Sequence, residues 1–305
     1  MGLTQFPNGI SSFGVPVIGG SQIPVTTGTY FFVDDSGSNA NDGKDPDHPF
    51  ADIDYAIGQC TASKGDVILV MPGHSEDPIV SITADIAGIC IYGLGWGANR
   101  PTITFGALGA TFAITGASVR VSNLRFDLGT VAATVTNAIN ITGEAAIVDG
   151  CETVMHATSQ FTNLLTATDA QFVKIYYNKF HSLHTASATS GVVVDGCDDL
   201  EIVGNQIAGH FTEHALDNTT PGSCDEILRA YIADNSIKND SVTAGDMAVE
   251  LDANATGIFA RNMLSGGLAT TAANYDIGNM SCLESYIVDD FGVDVHGIVL
   301  GTAAE

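Results

Sequence analysis

Four stretches in the second half of the chain repeat one pattern of apolar and polar positions when they are aligned on an asparagine. QFVKIYYNKF, DLEIVGNQI, LRAYIADNSI and ATGIFARNML bring Asn178, Asn205, Asn235 and Asn262 to the same place. Each asparagine has an apolar residue three before it (Ile175, Ile202, Ile232, Phe259) and another two after it (Phe180, Ile207, Ile237, Leu264). Successive asparagines stand at intervals of 27, 30 and 27. One more step of the shorter interval reaches Asp289, flanked by Tyr286 and Phe291, which predicts a further unit there. Upstream the pattern thins: Gly150 keeps only Ile147, while Leu124 keeps Val121 and Phe126.

A unit this short cannot bury its own apolar face and must stack on its neighbours. Within each unit, inward positions alternate with outward ones, as strand geometry requires. The asparagine is expected where strand gives way to turn, because its short amide tolerates left-handed backbone and bonds locally. Stacked copies are expected to form a structural ladder, as identical amides do in cross-β stacks. Leucine-rich repeats have periods of about 20 to 29 residues but need a Leu-x-x-Leu-x-Leu pattern, which is missing here. The prediction is an all-β chain, a single-stranded right-handed parallel β-helix or solenoid. Six intervals from Leu124 to Asp289, at ~4.8 Å each, make a rod of roughly 29 Å from this part alone.

The segment before Tyr30 reads differently. It is rich in Gly and Pro, with Phe6, Ile10, Phe13, Val15, Val17 and Ile18 spaced along it and Pro7 and Pro16 interrupting. Gly and Pro forbid a regular helix, yet the apolar residues are too many for a solvated linker, so an extended arm is expected. It lies either on another molecule or on its own domain. From Tyr30 a strand, YFFVD, leads into DSGSNANDGKDPDHPF, a loop of turn residues. ADIDYAIGQC follows with Ile53, Ala56 and Ile57 at helical spacing and Asp52 and Asp54 in the first turn, where the helix dipole favours them. GDVILVMPG then reads as a strand buried on both faces and closed by a Pro-Gly turn. The chain thus divides into an arm (1–29), an opening segment with a short N-terminal capping helix (30–64) and a β-helix body (65–305).

Composition narrows the function. Ten Lys and Arg against 35 Asp and Glu give a net charge of −25, which repels a phosphate backbone, so neither nucleic acid nor an anionic membrane is expected as a partner. Only 15% of residues are charged, which suits stacked strands and faces covered by sister chains. The N-terminal stretch lacks a basic start and is broken by Pro7, Gly9, Gly14 and Pro16, so it does not read as a signal peptide and synthesis in a cytoplasm is expected. No run approaches the ~20 apolar residues of a membrane span. Cys60, Cys90, Cys151, Cys197, Cys224 and Cys282 form no CxxC pair and read as buried, reduced thiols.

Catalytic chemistry is hard to place. A polysaccharide lyase needs a base beside a metal or an acidic cluster, and Arg120, Arg125, Lys174 and Lys179 have no such cluster next to them in sequence. A glycosidase needs two carboxylates on one face. Asp198–Asp199 and Asp289–Asp290 are dipeptides whose side chains would alternate across a strand, so they read as turns. His156, His181, His184, His210 and His214 lie in turn-like stretches and read as scattered loop histidines, without a metal motif. The Asp34 to Asp47 stretch departs from the DxDxDG calcium loop and reads as Asx turns. The twice-used VDGC, ending at Cys151 and Cys197, reads as a turn before a strand. No catalytic residue, metal or cofactor is assigned.

YFFVDDSGSNANDGKDPDHPF together with GDVILVMPG resembles the start of phage parallel β-helix proteins of pectate-lyase-like fold, in which the short helix plugs the open end of the coil. FPNGISSFGVPVIGG resembles, more loosely, the N-terminal segments of phage virion proteins of the head-decoration or head-spike type. The resemblance implies a structural virion protein on the exterior of the phage head: a capsid decoration or cement protein, or a head spike. It would be a homotrimer whose arm (Phe6, Pro7, Ile10, Phe13, Val15, Val17, Ile18) binds the major capsid protein or another virion protein. The alternative is a tailspike-like protein that binds or depolymerises a host glycan.

Overall fold

A computed structural model describes residues 11–12, 15–16, 23–129, 135–154, 159–183, 187–218, 226–241, 243, 246–266, 275–287 and 297–299. The body is the right-handed parallel β-helix that the repeat requires. Eight successive coils each add one strand to each of three parallel sheets, and strands at the two ends bring the sheets to ten, ten and eight, the last, Gly297–Ile298, pairing antiparallel with Tyr286–Ile287. The strand Lys174–Tyr176 of the first sheet, for example, is followed by Lys179–Ser182 of the second and Ser190–Asp195 of the third.

The core is a set of side-chain stacks running along the coil axis. Parallel pairing puts Val121, Val148, Ile175, Ile202, Ile232 and Phe259 in register down the first sheet, and all are fully buried. Each such side chain contributes about 1.5–3 kcal/mol by leaving water. Near the start the core turns aromatic: the Phe105 and Phe126 rings stack at 6.4 Å, and Phe112 meets Phe126 edge-on at 5.5 Å.

The helix Ile53–Gln59 is the one α-helix among the described residues, and it buries Ile53, Ala56 and Ile57 against the first coils. The Glu76 carboxylate accepts the Ile53 N–H at 3.1 Å, satisfying one of the orphan donors at the helix start. In the preceding loop, Asp34, Asp42 and Asp45 each accept a backbone N–H two residues on, as Asx turns do.

The strand Val67–Val70 is buried on both faces for a visible reason. Ile68 and Val70 enter the core, while Val67 and Leu69 join Cys90 and Tyr92 on the outer face of the first sheet, where Ile23, Tyr30, Phe32 and Leu94 cover them. Residues just before Tyr30 are tied to this face: Thr26 Oγ1 donates to the Gly65 carbonyl at 2.7 Å, and Tyr30 Oη to that of Pro24 at 2.8 Å. By contrast, Ser11–Ser12 and Val15–Pro16 pair antiparallel as a two-stranded sheet of their own.

Two details of the repeat differ from the sequence alignment. Register equates Asp149 with Tyr176, so Cys151, not Gly150, occupies the asparagine position one coil before Asn178, with buried Val148 in place of Ile147. At the other end Cys282 pairs with Phe259, which makes Ser285 the residue after Asn262 in the column. The last corner is shorter than the repeat interval assumes, and Asp289 lies outside the described residues.

Candidate functional site

The corner between the first and second sheets carries the most ordered chemistry. In every coil from Asn123 to Arg261 one residue there is left-handed: Asn123, Gly150, Tyr177, Gly204, Asp234 and Arg261 have φ between 52° and 70°. The ladder asparagine is the residue after it, so the asparagine itself is not left-handed. The preceding residue makes the bend, and the asparagine then points its amide inward. Asn178, Asn205, Asn235 and Asn262 are 1–2% exposed. Each Nδ2 donates to a carbonyl of the coil before (Val148, Ile175, Ile202, Ile232) at 2.8–2.9 Å. Each Oδ1 accepts the backbone N–H of the corner residue one coil back, beginning with Cys151, at 2.8–3.0 Å. Every buried polar atom of these amides is thereby used, which leaves the ladder structural.

Outside this ladder the same corner opens into a cleft of about 450 Å³. Trp96, 84% exposed, stands at one end, and Tyr177, 68% exposed, at the other. Gly93, Gly95, Asn123 and Gly150 supply a low floor. The Asn123 amide donates to the carbonyls of Gly93 at 2.7 Å and Gly95 at 2.9 Å, which fixes the loop that presents Trp96. Tyr177 lies over Gly204, where a Cβ would sit 2.5 Å from its ring.

The polar wall of the cleft is built from ion pairs between coils. Arg120 holds Asp149 through two bonds, Nε to Oδ1 at 2.8 Å and Nη2 to Oδ2 at 2.9 Å, with Ser122 Oγ donating to Oδ2 at 3.0 Å. The hydrogen bonds and charge of Asp149 raise the Arg120 pKa further. Glu152 is shared by Arg100 at 2.9 Å and Arg125 at 3.4 Å. Lys179 lines the cleft and makes no ion pair among the described residues. The carboxylate partners of Arg120, Arg125 and Lys174 are Asp149, Glu152 and Glu201, each one coil downstream. An acidic neighbour sought along the chain is therefore missed, although the next coil supplies one.

A second cluster lies on the third sheet, where register stacks Asp217, Glu250 and Asp276 on successive coils. Glu250 is paired with His214, whose Nδ1 accepts the Met247 N–H at 3.1 Å. Burial, with repulsion from Asp217 and Asp276, holds the Glu250 carboxyl above the usual glutamate range, although His214 pulls the other way. Glycoside hydrolysis needs two carboxylates flanking one exposed bond. Asp217, however, is fully buried and accepts a bond from Ser190 Oγ at 2.7 Å, closed to a sugar. His214 thus departs from the scattered-loop reading, being buried and paired.

The other sequence candidates fall as follows. Asp198 and Asp199 form a turn, with Asp199 left-handed and both bound by Arg229. Cys60, Cys90, Cys151, Cys197 and Cys282 are free thiols, and burial pushes that of Cys151 up to about 12. Among the described residues no group of three or more His, Cys, Asp or Glu side chains is arranged to hold a metal ion, and no helix is long and apolar enough to cross a membrane. Phe6, Pro7, Ile10, Phe13, Val17 and Ile18 of the arm, with His156, His184, Cys224, Asp290 and Phe291, lie outside the described residues; Val15 is in the short N-terminal strand pair.

Compared with protein-family models and with curated protein sequences, the chain matches none. Solved structures share its fold. A rhamnogalacturonan lyase superposes with a TM-score of 0.50 at 10% identity, over 89% of this chain and 90% of the lyase. A variant of sacteLam55A from Streptomyces sp. SirexAA-E, in complex with glucose, gives 0.54 at 13% identity over 82% of this chain, which spans half of that protein's length. The Dettilon tailspike protein gives 0.33 at 12% identity, over 78% of this chain and 57% of the tailspike, too loose an overlap to carry an argument. At these identities the likeness defines the class of fold, the parallel β-helix, and nothing finer.

Proposed function

We propose that this chain is a structural virion protein of a tailed phage, a capsid decoration or head-spike protein attached through its N-terminal arm and projecting as a trimeric β-helix. The observation that supports this most is the separateness of the arm. Ser11–Ser12 and Val15–Pro16 pair with each other and with no strand of the three long sheets, while Ile23 and Thr26 are already held on the first coils. An apolar segment whose described strands join none of the rod's sheets suits a role in binding the major capsid protein or another virion protein. Deleting residues 1–22 should leave a folded rod, since the ties from Ile23 onward remain, and should abolish binding to capsids. Capsid binding unchanged by the deletion would refute the proposal.

A second reading, polysaccharide binding, is favoured by the cleft between Trp96 and Tyr177. Exposed aromatic rings beside paired polar groups suit a ligand that is apolar on its faces and polar at its rim, as a sugar is. The two readings are compatible, because the cleft takes only Ile23 from the residues before Tyr30 and keeps it when residues 1–22 are removed.

A further inference from the structure

The charge of the cleft runs against the charge of the protein. The chain carries −25 overall, with only ten Lys and Arg. Four of those ten, Arg100, Arg120, Arg125 and Lys179, gather at this corner, where the three arginines pair with the carboxylates of Asp149 and Glu152. Four cations against two carboxylates leave a positive island on an acidic rod. Three of its donors lack a partner among the described residues: the Lys179 ammonium makes no ion pair, and the Nε atoms of Arg100 and Arg125 are buried without a hydrogen bond.

Resting on the polysaccharide-binding reading, we infer that the cleft takes an acidic oligosaccharide, a sugar chain bearing carboxylate or sulfate groups. Its ring faces lie on Trp96 and Tyr177, and an acid group meets Lys179 and Arg100. The two aromatic residues are about three coils apart, roughly 14 Å at ~4.8 Å per coil, a span for a short chain and not for one ring. The glycines of the floor let sugar rings approach the backbone. A nucleic-acid strand offers acid groups and rings as well, but its continuous charge would meet the acidic remainder of the rod, whereas a short oligosaccharide stays within the island.

Trp96 is the only tryptophan in the chain, so its emission reports the cleft directly. The full chain is titrated with trigalacturonate, a chondroitin sulfate hexasaccharide, neutral maltotriose and a short oligothymidylate, with calorimetry in parallel. The expected result is a saturable change with at least one acidic saccharide, weaker in added salt and weakened about tenfold by Lys179→Glu, the scale of one charge-assisted bond. Tyr177→Asn, which keeps a residue that tolerates left-handed backbone, should weaken it too. Maltotriose binding as well as the acidic sugars would overturn the acidic ligand and leave the polysaccharide reading standing. No response to any saccharide would overturn both. Tighter binding of the oligothymidylate would overturn the inference in favour of single-stranded nucleic acid.

Discussion

Asn178 and Asn205 are joined twice across one coil: Asn205 Oδ1 accepts the Asn178 backbone N–H at 2.9 Å and the Asn178 side-chain amide at 3.0 Å. Asn235 does the same for Asn205, and Asn262 for Asn235. The column is therefore one hydrogen-bonded chain in which each amide satisfies its neighbour's donors.

Removing a central rung should be expensive. In Asn205→Ala, the Asn178 N–H loses its acceptor, and the Ile175 carbonyl loses the donor that reaches it at 2.8 Å. Buried groups left in this way cost about 1–3 kcal/mol each, so a loss of roughly 2–6 kcal/mol is expected. Urea denaturation followed by circular dichroism measures it, and a variant within about 0.5 kcal/mol of the parent would show that the ladder carries little stability.

Two glycine substitutions should move stability in opposite directions. At Gly209, φ is +135° and a Cβ would sit 2.0 Å from the Ser182 carbonyl oxygen, so Gly209→Ala has no relaxed solution inside the coil. At Gly58, on the capping helix, nothing lies within 4 Å of the added carbon. Gly58→Ala should stabilise by about 0.5–1 kcal/mol, from helix propensity and a less flexible unfolded chain. Thermal melts of both variants beside the parent test the pair; a melting point lowered by Gly58→Ala, or kept by Gly209→Ala, contradicts the geometry.

Acid should act on two glutamates with opposite sign. Glu201 accepts bonds from Tyr176 and Lys174, which lower its pKa below the ordinary glutamate value, so its contribution is present above that value and is lost as pH falls through the lowered one. Glu250 has its pKa raised, chiefly by burial, so its contribution is present below the ordinary value and is lost as pH rises through the raised one. Relative to the parent, Glu201→Gln should therefore be weaker at neutral pH and draw level as pH falls through the lowered Glu201 value. Glu250→Gln should gain on the parent as pH rises from the ordinary glutamate value through the raised one. Melting temperatures across this range decide both, and equal slopes for parent and variants would contradict the assignment.

Much of the architecture was legible in the chain itself. Apolar residues three before and two after each asparagine specify an inward stack on two sheets, because strand alternation and a fixed corner geometry leave the phase no freedom between them. The Ile53, Ala56 and Ile57 face of the capping helix, and the doubly buried run Val67–Val70, follow from the same local rules. What the sequence could not carry was phase across corners of unequal length. Asp217, Glu250 and Asp276 share one column but stand at unequal intervals along the chain, and the column after Asn262 resumes at Ser285. Nor could it show the cleft, whose Trp96, Asn123, Gly150 and Tyr177 come from four different turns of the chain. Local sequence determines what each coil buries, because burial is decided by two-residue periodicity within a strand. Which charges and rings meet on the outside is decided only when the coils are stacked, because a residue's nearest outward neighbours lie one full coil away.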